Sequence, residues 1–178
     1  MKNTKKLVTT GICLAVALLL PFLTGQIPSI GSALSPMHIP VLICGFLCGW
    51  PYGLLVGLIA PPLRFLLFGM PPIFPTGVAM AFELAAYGCM TGLLYAKLPK
   101  KMSSIYLALV PSMLVGRAVW GVVRVILSGV AGSSFTWAMF LSGAFLSAVP
   151  GIICHLLLVP IIVKAVEKAE GKAIVSVG

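Results

Sequence analysis

Acidic residues are scarce in this sequence, and that scarcity already restricts the class of protein. Only 3 of the 178 residues are Asp or Glu, against 12 Lys and Arg. Charged residues make up 8% of the chain and hydrophobic residues 60%, with a mean hydropathy of +1.15. So few charges cannot cover a water-facing surface. We therefore predict an all-α integral membrane protein that forms one domain over residues 1–178.

Several functional motifs are also missing. The chain has no GxxxxGK[ST] sequence, which excludes ATP binding through a P-loop, and it has no HExxH zinc-protease motif. With three acidic residues it offers no carboxylate pair suited to intramembrane proteolysis. Its net charge of +9 is not arranged as a basic stripe with interleaved aromatic residues, so no nucleic-acid partner is expected. Catalysis is disfavoured, and a pump would need partners to supply energy.

The five cysteines do not form a metal or disulfide pattern. None belongs to a CxxC pair or another metal-ligand spacing, and all fall in apolar segments: Cys13, Cys44, Cys48, Cys89 and Cys154. Buried small apolar residues explain these positions better than metal ligands do. We expect neither a metal nor an organic cofactor.

Lysine positions predict the membrane topology. All nine lysines fall into three clusters: Lys2, Lys5 and Lys6; Lys97, Lys100 and Lys101; Lys164, Lys168 and Lys172. The apolar segments cover residues 7–23, 36–50, 52–69, 74–95, 103–128 and 135–166. Six spans with both termini cytoplasmic place every lysine inside, as the positive-inside rule requires. A cleaved signal peptide is the alternative for residues 7–23, but the lysine pattern holds only if that helix is retained.

The arginines, unlike the lysines, lie inside the apolar segments. Arg64, Arg117 and Arg124 share the predicted spans with one acidic residue, Glu83. Each such charge costs about 2.5–3.5 kcal/mol in a membrane helix and should face the interior of the bundle. A structural Glu83–Arg117 ion pair accounts for two of the four charges. The remaining positive charge favours an anionic ligand, most simply a carboxylate held by a guanidinium group.

Further residues are expected to complete a pocket that opens to the outside, with the turn 70–75 as its lid. His38 lies at the mouth of the second span, and Tyr87 lies one helical turn from Glu83. Phe74 and Trp120 are candidate aromatic walls, although core packing explains them equally well. Pro61 and Pro62 should kink or unwind the third span. The predicted ligand-binding set is Arg64, Glu83, Arg117, Arg124, Tyr87, Trp120, Phe74 and His38.

The sequence resembles the substrate-binding (S) component of energy-coupling-factor (ECF) vitamin transporters, which are ABC-type transporters of prokaryotic plasma membranes. The resemblance is carried by SPMHIPVLICGFLCGWPYGLLVG at 35–57, by GMPPIFPTGVAMAFELAAYG at 69–88, and by small residues in a lysine-flanked first helix. It implies a subunit that binds a vitamin and docks on an ECF module of a transmembrane coupling protein and two cytoplasmic ATPases. The family docks through Ala-xxx-Ala in the first helix, and Gly11 and Ala15 occupy those positions here.

The substrate is predicted from charge together with this resemblance. Three membrane arginines favour a carboxylate-bearing vitamin, and pantothenate is the first choice because the sequence resembles that broad subgroup. Folate and niacin share the carboxylate. Riboflavin has no carboxylate, but its flat ring would suit Trp and Phe walls. Thiamine is a cation and is disfavoured.

Two functions from other classes remain as alternatives. A small intramembrane enzyme would need His155 with Cys154 or Ser147, although His155 is more simply a hydrogen-bonded packing residue. An assembly subunit would use its buried charges only for internal pairing. The transporter interpretation predicts stabilisation by a small molecule, and the assembly interpretation predicts none.

Overall fold

The computed structural model describes residues 3–24 and 34–175, and within these ranges it contains helices and no strand. The α-helices are, in chain order, α1 (Asn3–Leu19), α2 (His38–Cys48), α3 (Trp50–Phe68), α4 (Val78–Lys97), α5 (Met102–Val130), α6 (Trp137–Leu141) and α7 (Val149–Val175). A 3₁₀ segment, Leu20–Thr24, follows α1. Wider π-helical turns, Ile73–Gly77 and Ser142–Leu146, lead into α4 and follow α6.

Five helical segments are long and apolar enough to cross a membrane: Asn3–Phe22, Trp50–Phe68, Ile73–Lys97, Met102–Val130 and Trp137–Ala169. The predicted second span at 36–50 forms only the 11-residue helix α2, about 16 Å long. That is about half of a 30 Å hydrocarbon core. Over the described residues the prediction of an all-helical chain is confirmed, and five of these helices, rather than six, reach the length of a span, as is consistent with an integral membrane protein.

Helix α4 lies at the centre of the packing. It contacts α2, α3 and α5, while α1 packs on α2 and α3, and α7 packs on α2 and α5. Its segment is the most buried of the five candidate spans. A side chain on the inner face of α4 can therefore meet groups from several other helices.

Glycines allow α3 and α4 to touch backbone to backbone. A Cβ atom on Gly88 of α4 would overlap the backbone of Gly53 on α3, and a Cβ atom on Gly53 would overlap the carbonyl of Gly88. Small residues at facing positions are the usual way for membrane helices to approach this closely. Because this contact fixes the side of α4 that faces α3, it also fixes which side of α4 faces away from α3.

We expect Gly88→Ala to destabilise the protein because its methyl group meets main-chain atoms that cannot rotate away. Overpacking of this kind costs about 1–3 kcal/mol. Gly129→Ala on α5 is the matched control, since nothing lies within 4 Å of a Cβ atom there. Thermal unfolding in detergent should show a lower Tm for Gly88→Ala than for Gly129→Ala, and equal Tm values would contradict the contact.

The helices differ from the sequence prediction in two places. Helix α3 runs without interruption through Pro61 and Pro62, so the prolines do not unwind it. The predicted sixth span at 135–166 is not one continuous α-helix, because the π-helical turn Ser142–Leu146 separates α6 from α7. Gly49, whose φ of 98° suits glycine, separates α2 from α3.

Candidate functional site

Three helices bring polar side chains to one oxygen atom, Oε1 of Glu83. Arg117 on α5 places Nη1 3.1 Å from it, and the Tyr87 hydroxyl donates a hydrogen bond to it over 3.1 Å. Nε2 of His38, at the start of α2, lies 3.5 Å away. Glu83 and His38 are 2% exposed and Arg117 is 6% exposed. The predicted Glu83–Arg117 pair is therefore present and buried.

Local geometry explains how these side chains meet. Glu83 and Tyr87 lie four residues apart on α4, so they project from the same face. The ring of Tyr87 lies against Gly116 of α5, where any Cβ atom would collide with it. Because Gly116 immediately precedes Arg117, the same turn of α5 receives the Tyr87 ring and presents the guanidinium group to Glu83.

A fourth helix contributes His155, which the sequence analysis interpreted as a packing residue. The His155 ring stacks on the His38 ring, with centroids 5.7 Å apart and an interplanar angle of 19°. Its Nε2 atom lies 3.3 Å from the Ser35 carbonyl oxygen. A carbonyl oxygen only accepts hydrogen bonds, so Nε2 carries the hydrogen. His155 thus joins the group formed by Glu83, Arg117, His38 and Tyr87. We call these five residues the Glu83 cluster.

The Glu83 cluster contains buried donor and acceptor atoms without a hydrogen-bond partner in the part of the chain that the structure describes. These atoms are Nε and Nη2 of Arg117, both ring nitrogens of His38, and Nδ1 of His155. A buried polar group left without a partner costs about 1–3 kcal/mol. Nε and Nη2 lie on one edge of the guanidinium group, which can hold a carboxylate through two parallel hydrogen bonds.

Arg124 lies two turns beyond Arg117 in an aromatic environment. Its guanidinium carbon is 5.8 Å from the ring centroid of Trp120 and 5.6 Å from that of Phe135. Trp120 also stacks near Phe140, at 6.3 Å between centroids. Over the described residues, the buried Nε atom of Arg124 has no hydrogen-bond partner. Arg124 and Trp120 therefore form a second, aromatic part of the predicted set, outside the direct contacts of Glu83.

The structure places two other predicted residues elsewhere. Arg64 is buried, but it donates a hydrogen bond to the Leu18 carbonyl over 2.8 Å. Its guanidinium carbon also lies 5.1 Å from the ring centroid of Phe22 and 5.5 Å from that of Phe68, and these cation–π contacts join the segment after α1 to the end of α3. Phe74 is 47% exposed in the turn before α4. Neither residue contacts the Glu83 cluster in the described structure.

A second polar cluster, which the sequence analysis did not identify, lies at the lysine-rich end of α4. The buried Tyr95 donates a hydrogen bond to Oε1 of Glu167 over 2.8 Å, and Lys164 binds Oε2 of the same carboxylate at 2.7 Å. Lys164 also donates to the Lys100 carbonyl over 2.7 Å. This cluster joins α7 to the end of α4 and to the loop before α5.

Tyr95→Phe should destabilise the protein because it removes a hydrogen bond to a carboxylate while keeping the ring. The loss should be about 1–2 kcal/mol, since Glu167 retains Lys164. Tyr106→Phe is the matched control because Tyr106 is 39% exposed on α5. A lower Tm for Tyr95→Phe alone is the expected result of thermal unfolding, and a Tm equal to that of Tyr106→Phe would argue against the bond.

The predicted docking residues face outward from the described structure. Gly11 and Ala15 are exposed on α1, and nothing lies within 4 Å of a Cβ atom at Gly11. The opposite face of α1 buries Cys13 and Ala17 against the rest of the protein. The Gly11–Ala15 face is therefore sterically open.

Two of the residues considered for catalysis, His155 and Ser147, have different surroundings. His155 contacts the Ser35 carbonyl and the His38 ring, whereas Ser147 is exposed and precedes α7. Over residues 3–24 and 34–175, no group of three or more His, Cys, Asp or Glu side chains is arranged to hold a metal ion. The Glu83 cluster instead presents a guanidinium edge and two imidazoles in a buried position.

Comparison with known proteins assigns the chain to a family. The family model described as "ECF transporter, substrate-specific component" matches residues 5–163. No curated protein and no solved structure shows significant similarity to the chain. The matched range includes every residue of the Glu83 cluster and the Gly11–Ala15 face. The chain therefore belongs to the family of substrate-specific components of ECF transporters, whose members are membrane subunits for micronutrient uptake.

Proposed function

We propose that this S component binds and takes up a carboxylate-bearing vitamin, with pantothenate as the first candidate. One observation carries the proposal. Arg117 uses Nη1 to pair with Glu83, while its buried Nε–Nη2 edge has no partner in the described residues. That edge matches the two oxygens of a carboxylate, and a carboxylate would satisfy both donors at once.

The surrounding residues support an elongated ligand with more than one polar group. His38 and Tyr87 lie beside Glu83 and are available to hydroxyl or amide groups. Arg124 and Trp120 lie further along α5, where an aromatic wall and a second cation continue the proposed site. Nicotinate and folate share the carboxylate and are the nearest alternatives; riboflavin would have to rely on the aromatic residues alone.

We further propose that one domain spans the membrane six times with both termini in the cytoplasm. In this arrangement α2 and its flanking residues form the second, shortened span. The lysine distribution supports this orientation, because all nine lysines then face the cytoplasm. The ECF module would dock against the Gly11–Ala15 face of α1 and supply the ATP hydrolysis for which this chain has no P-loop.

A thermal-shift screen of the purified protein in detergent tests the proposed substrate. Pantothenate, nicotinate, folate and biotin carry a carboxylate, whereas riboflavin and thiamine do not. A carboxylate vitamin at about 100 times its Kd should stabilise the folded protein by about 2.7 kcal/mol. Stabilisation by riboflavin or thiamine alone would contradict the carboxylate proposal.

The screen also separates this function from that of an assembly subunit. The buried Glu83–Arg117 pair is the observation that favours an assembly role, because it neutralises both charges without a ligand. An assembly subunit should show no stabilisation by any of the six vitamins. Glu83→Gln should then lower its Tm and have no effect on any ligand affinity.

A further inference from the structure

We propose that the anionic ligand enters this site together with one proton, and that His38 holds the proton. The inference rests on the proposed function and adds a second occupant to the same site. Glu83 and Arg117 form a 3.1 Å pair, so the charges of the Glu83 cluster already cancel when both histidines are neutral.

Adding a carboxylate to this neutral site would leave one uncompensated negative charge in a buried place. Glu83 is 2% exposed and Arg117 is 6% exposed, so water cannot screen that charge effectively. An unpaired buried charge costs several kcal/mol, whereas a second cation would restore neutrality. Arg124 does not supply it at this point, because its guanidinium group lies against the Trp120 and Phe135 rings, outside the direct contacts of Glu83. Within the described structure, the group in contact with Glu83 that can become that cation is His38.

His38 is placed to give Glu83 a second cation when Arg117 also binds the ligand. Its Nε2 atom lies 3.5 Å from Oε1 of Glu83, and its ring lies 5.3 Å from the Tyr87 ring. Arg117 approaches the same carboxylate from α5, and His155 of α7 stacks on the His38 ring. With a proton on His38, Glu83 would pair with His38 and with Nη1 of Arg117, while the ligand would occupy the Nε–Nη2 edge of Arg117.

The other helices packed on α2 bring no competing charge to His38 in the described residues. Arg64 of α3 is engaged by the Leu18 carbonyl, which belongs to α1. Lys6 of α1 lies beside Cys48, at the far end of α2, because the Cys48 thiol contacts the Lys6 carbonyl. Cys48 is ten residues from His38, or about 15 Å along the helix.

His155 has a different role, as a positioning residue. Its Nε2–H bond is directed to the Ser35 carbonyl, and its ring supports one face of His38. Two stacked imidazoles cannot both take up a proton without mutual repulsion. His155 therefore stays neutral and limits the uptake to a single proton. Both ring nitrogens of His38 lack hydrogen-bond partners among the described residues, so its protonated ring can also donate from Nδ1 to a ligand oxygen.

The proton comes from the solvent, and this makes affinity depend on pH. A ligand that binds with one proton gains about tenfold in association constant for each unit by which pH falls. The dependence should extend over the pH range in which His38 is neutral before the ligand binds. A site that bound the anion through Arg117 alone would show no such slope in that range.

The experiment is isothermal titration calorimetry of the full chain in detergent, in HEPES and in Tris at about pH 7.5. The probes are pantothenate, nicotinate and folate. The difference in binding enthalpy between the two buffers gives the number of protons taken up. We expect about one proton for the wild type, none for His38→Gln, and about one for His155→Gln.

A second variant keeps the test decisive if His38→Gln does not fold. Glu83→Gln leaves Arg117 with an uncompensated positive charge, so the site can accept an anion without a proton. The number of protons taken up on binding should therefore fall to zero. Wild-type binding without proton uptake would overturn this proposal and leave the proposed function intact. Uptake that persists in His38→Gln or Glu83→Gln would also overturn it. If none of these three probes binds and biotin does not bind either, the proposed function fails as well.

Discussion

Replacing Arg117 with alanine is expected to lower the affinity for a carboxylate vitamin by about a hundredfold or more. The variant removes the guanidinium edge whose Nε and Nη2 atoms have no partner in the described residues. It also leaves Glu83 without its 3.1 Å partner in a buried site. Calorimetric titration with the vitamin identified by the thermal-shift screen measures the loss.

Loss of stability must be separated from loss of binding in this variant. Breaking a buried ion pair by removing one partner costs about 3–5 kcal/mol, because the other charge is left uncompensated. The double variant Glu83→Gln/Arg117→Gln removes both charges and should recover much of that stability. Its affinity for the carboxylate should remain low, because no guanidinium edge is present.

Arg64→Gln is the informative comparison among the arginines. The sequence analysis placed Arg64 in the ligand site, whereas its guanidinium group binds the Leu18 carbonyl and two phenylalanine rings. We expect this variant to lower the Tm and to leave vitamin affinity within about threefold of the wild type. Equal losses of affinity in Arg64→Gln and Arg117→Ala would contradict the assignment of Arg117 as the anion site.

Enlarging the Gly11–Ala15 face is expected to abolish vitamin uptake while leaving vitamin binding unchanged. Gly11→Leu and Ala15→Leu place branched side chains on the open side of α1, where small residues would allow a partner helix to approach closely. Both positions face away from the Glu83 cluster. Cells that produce either variant together with the ECF module should therefore take up no vitamin. The isolated variants should bind the vitamin in calorimetry with wild-type affinity.

Gly129→Leu is the control for this experiment. Gly129 is also exposed and open, but it lies near the end of α5 rather than on α1. Uptake by Gly129→Leu should match the wild type. Normal uptake by Gly11→Leu and Ala15→Leu would argue against docking through this face, and loss of binding in either would indicate damage to the fold.

The sequence predicted the membrane class and the central ion pair for identifiable reasons. High hydropathy and the scarcity of acidic residues indicate a membrane protein. Helices then follow, because backbone hydrogen-bonding groups in lipid must find their partners within the chain. Glu83 is the one acidic residue in the predicted spans, which also hold three arginines, and Tyr87 follows it by one helical turn. Sequence spacing on a single helix was therefore sufficient to predict the Glu83–Tyr87 arrangement.

Contacts between helices that are far apart in the sequence were harder to predict. Helical periodicity does not show which face of α7 meets α2, so the stacking of His155 on His38 was missed. The same limit applies to Glu167, whose partner Tyr95 precedes it by 72 residues. The prediction that Arg64 contacts the ligand likewise did not include the Leu18 carbonyl, because helix ends expose acceptors that residue type does not reveal.

Helices α4 and α7 are connected at two matched levels. Glu83 reaches His155 through His38, and Tyr95 binds Glu167 directly. Glu83 and Tyr95 are twelve residues apart on α4, and His155 and Glu167 are twelve residues apart on α7, which is about 18 Å along each helix. We therefore expect a partner that shifts α7 at the lysine-rich end to perturb the His155 end of the same helix. By thermodynamic reciprocity, the factor by which such a partner changes vitamin affinity equals the factor by which the vitamin changes affinity for that partner.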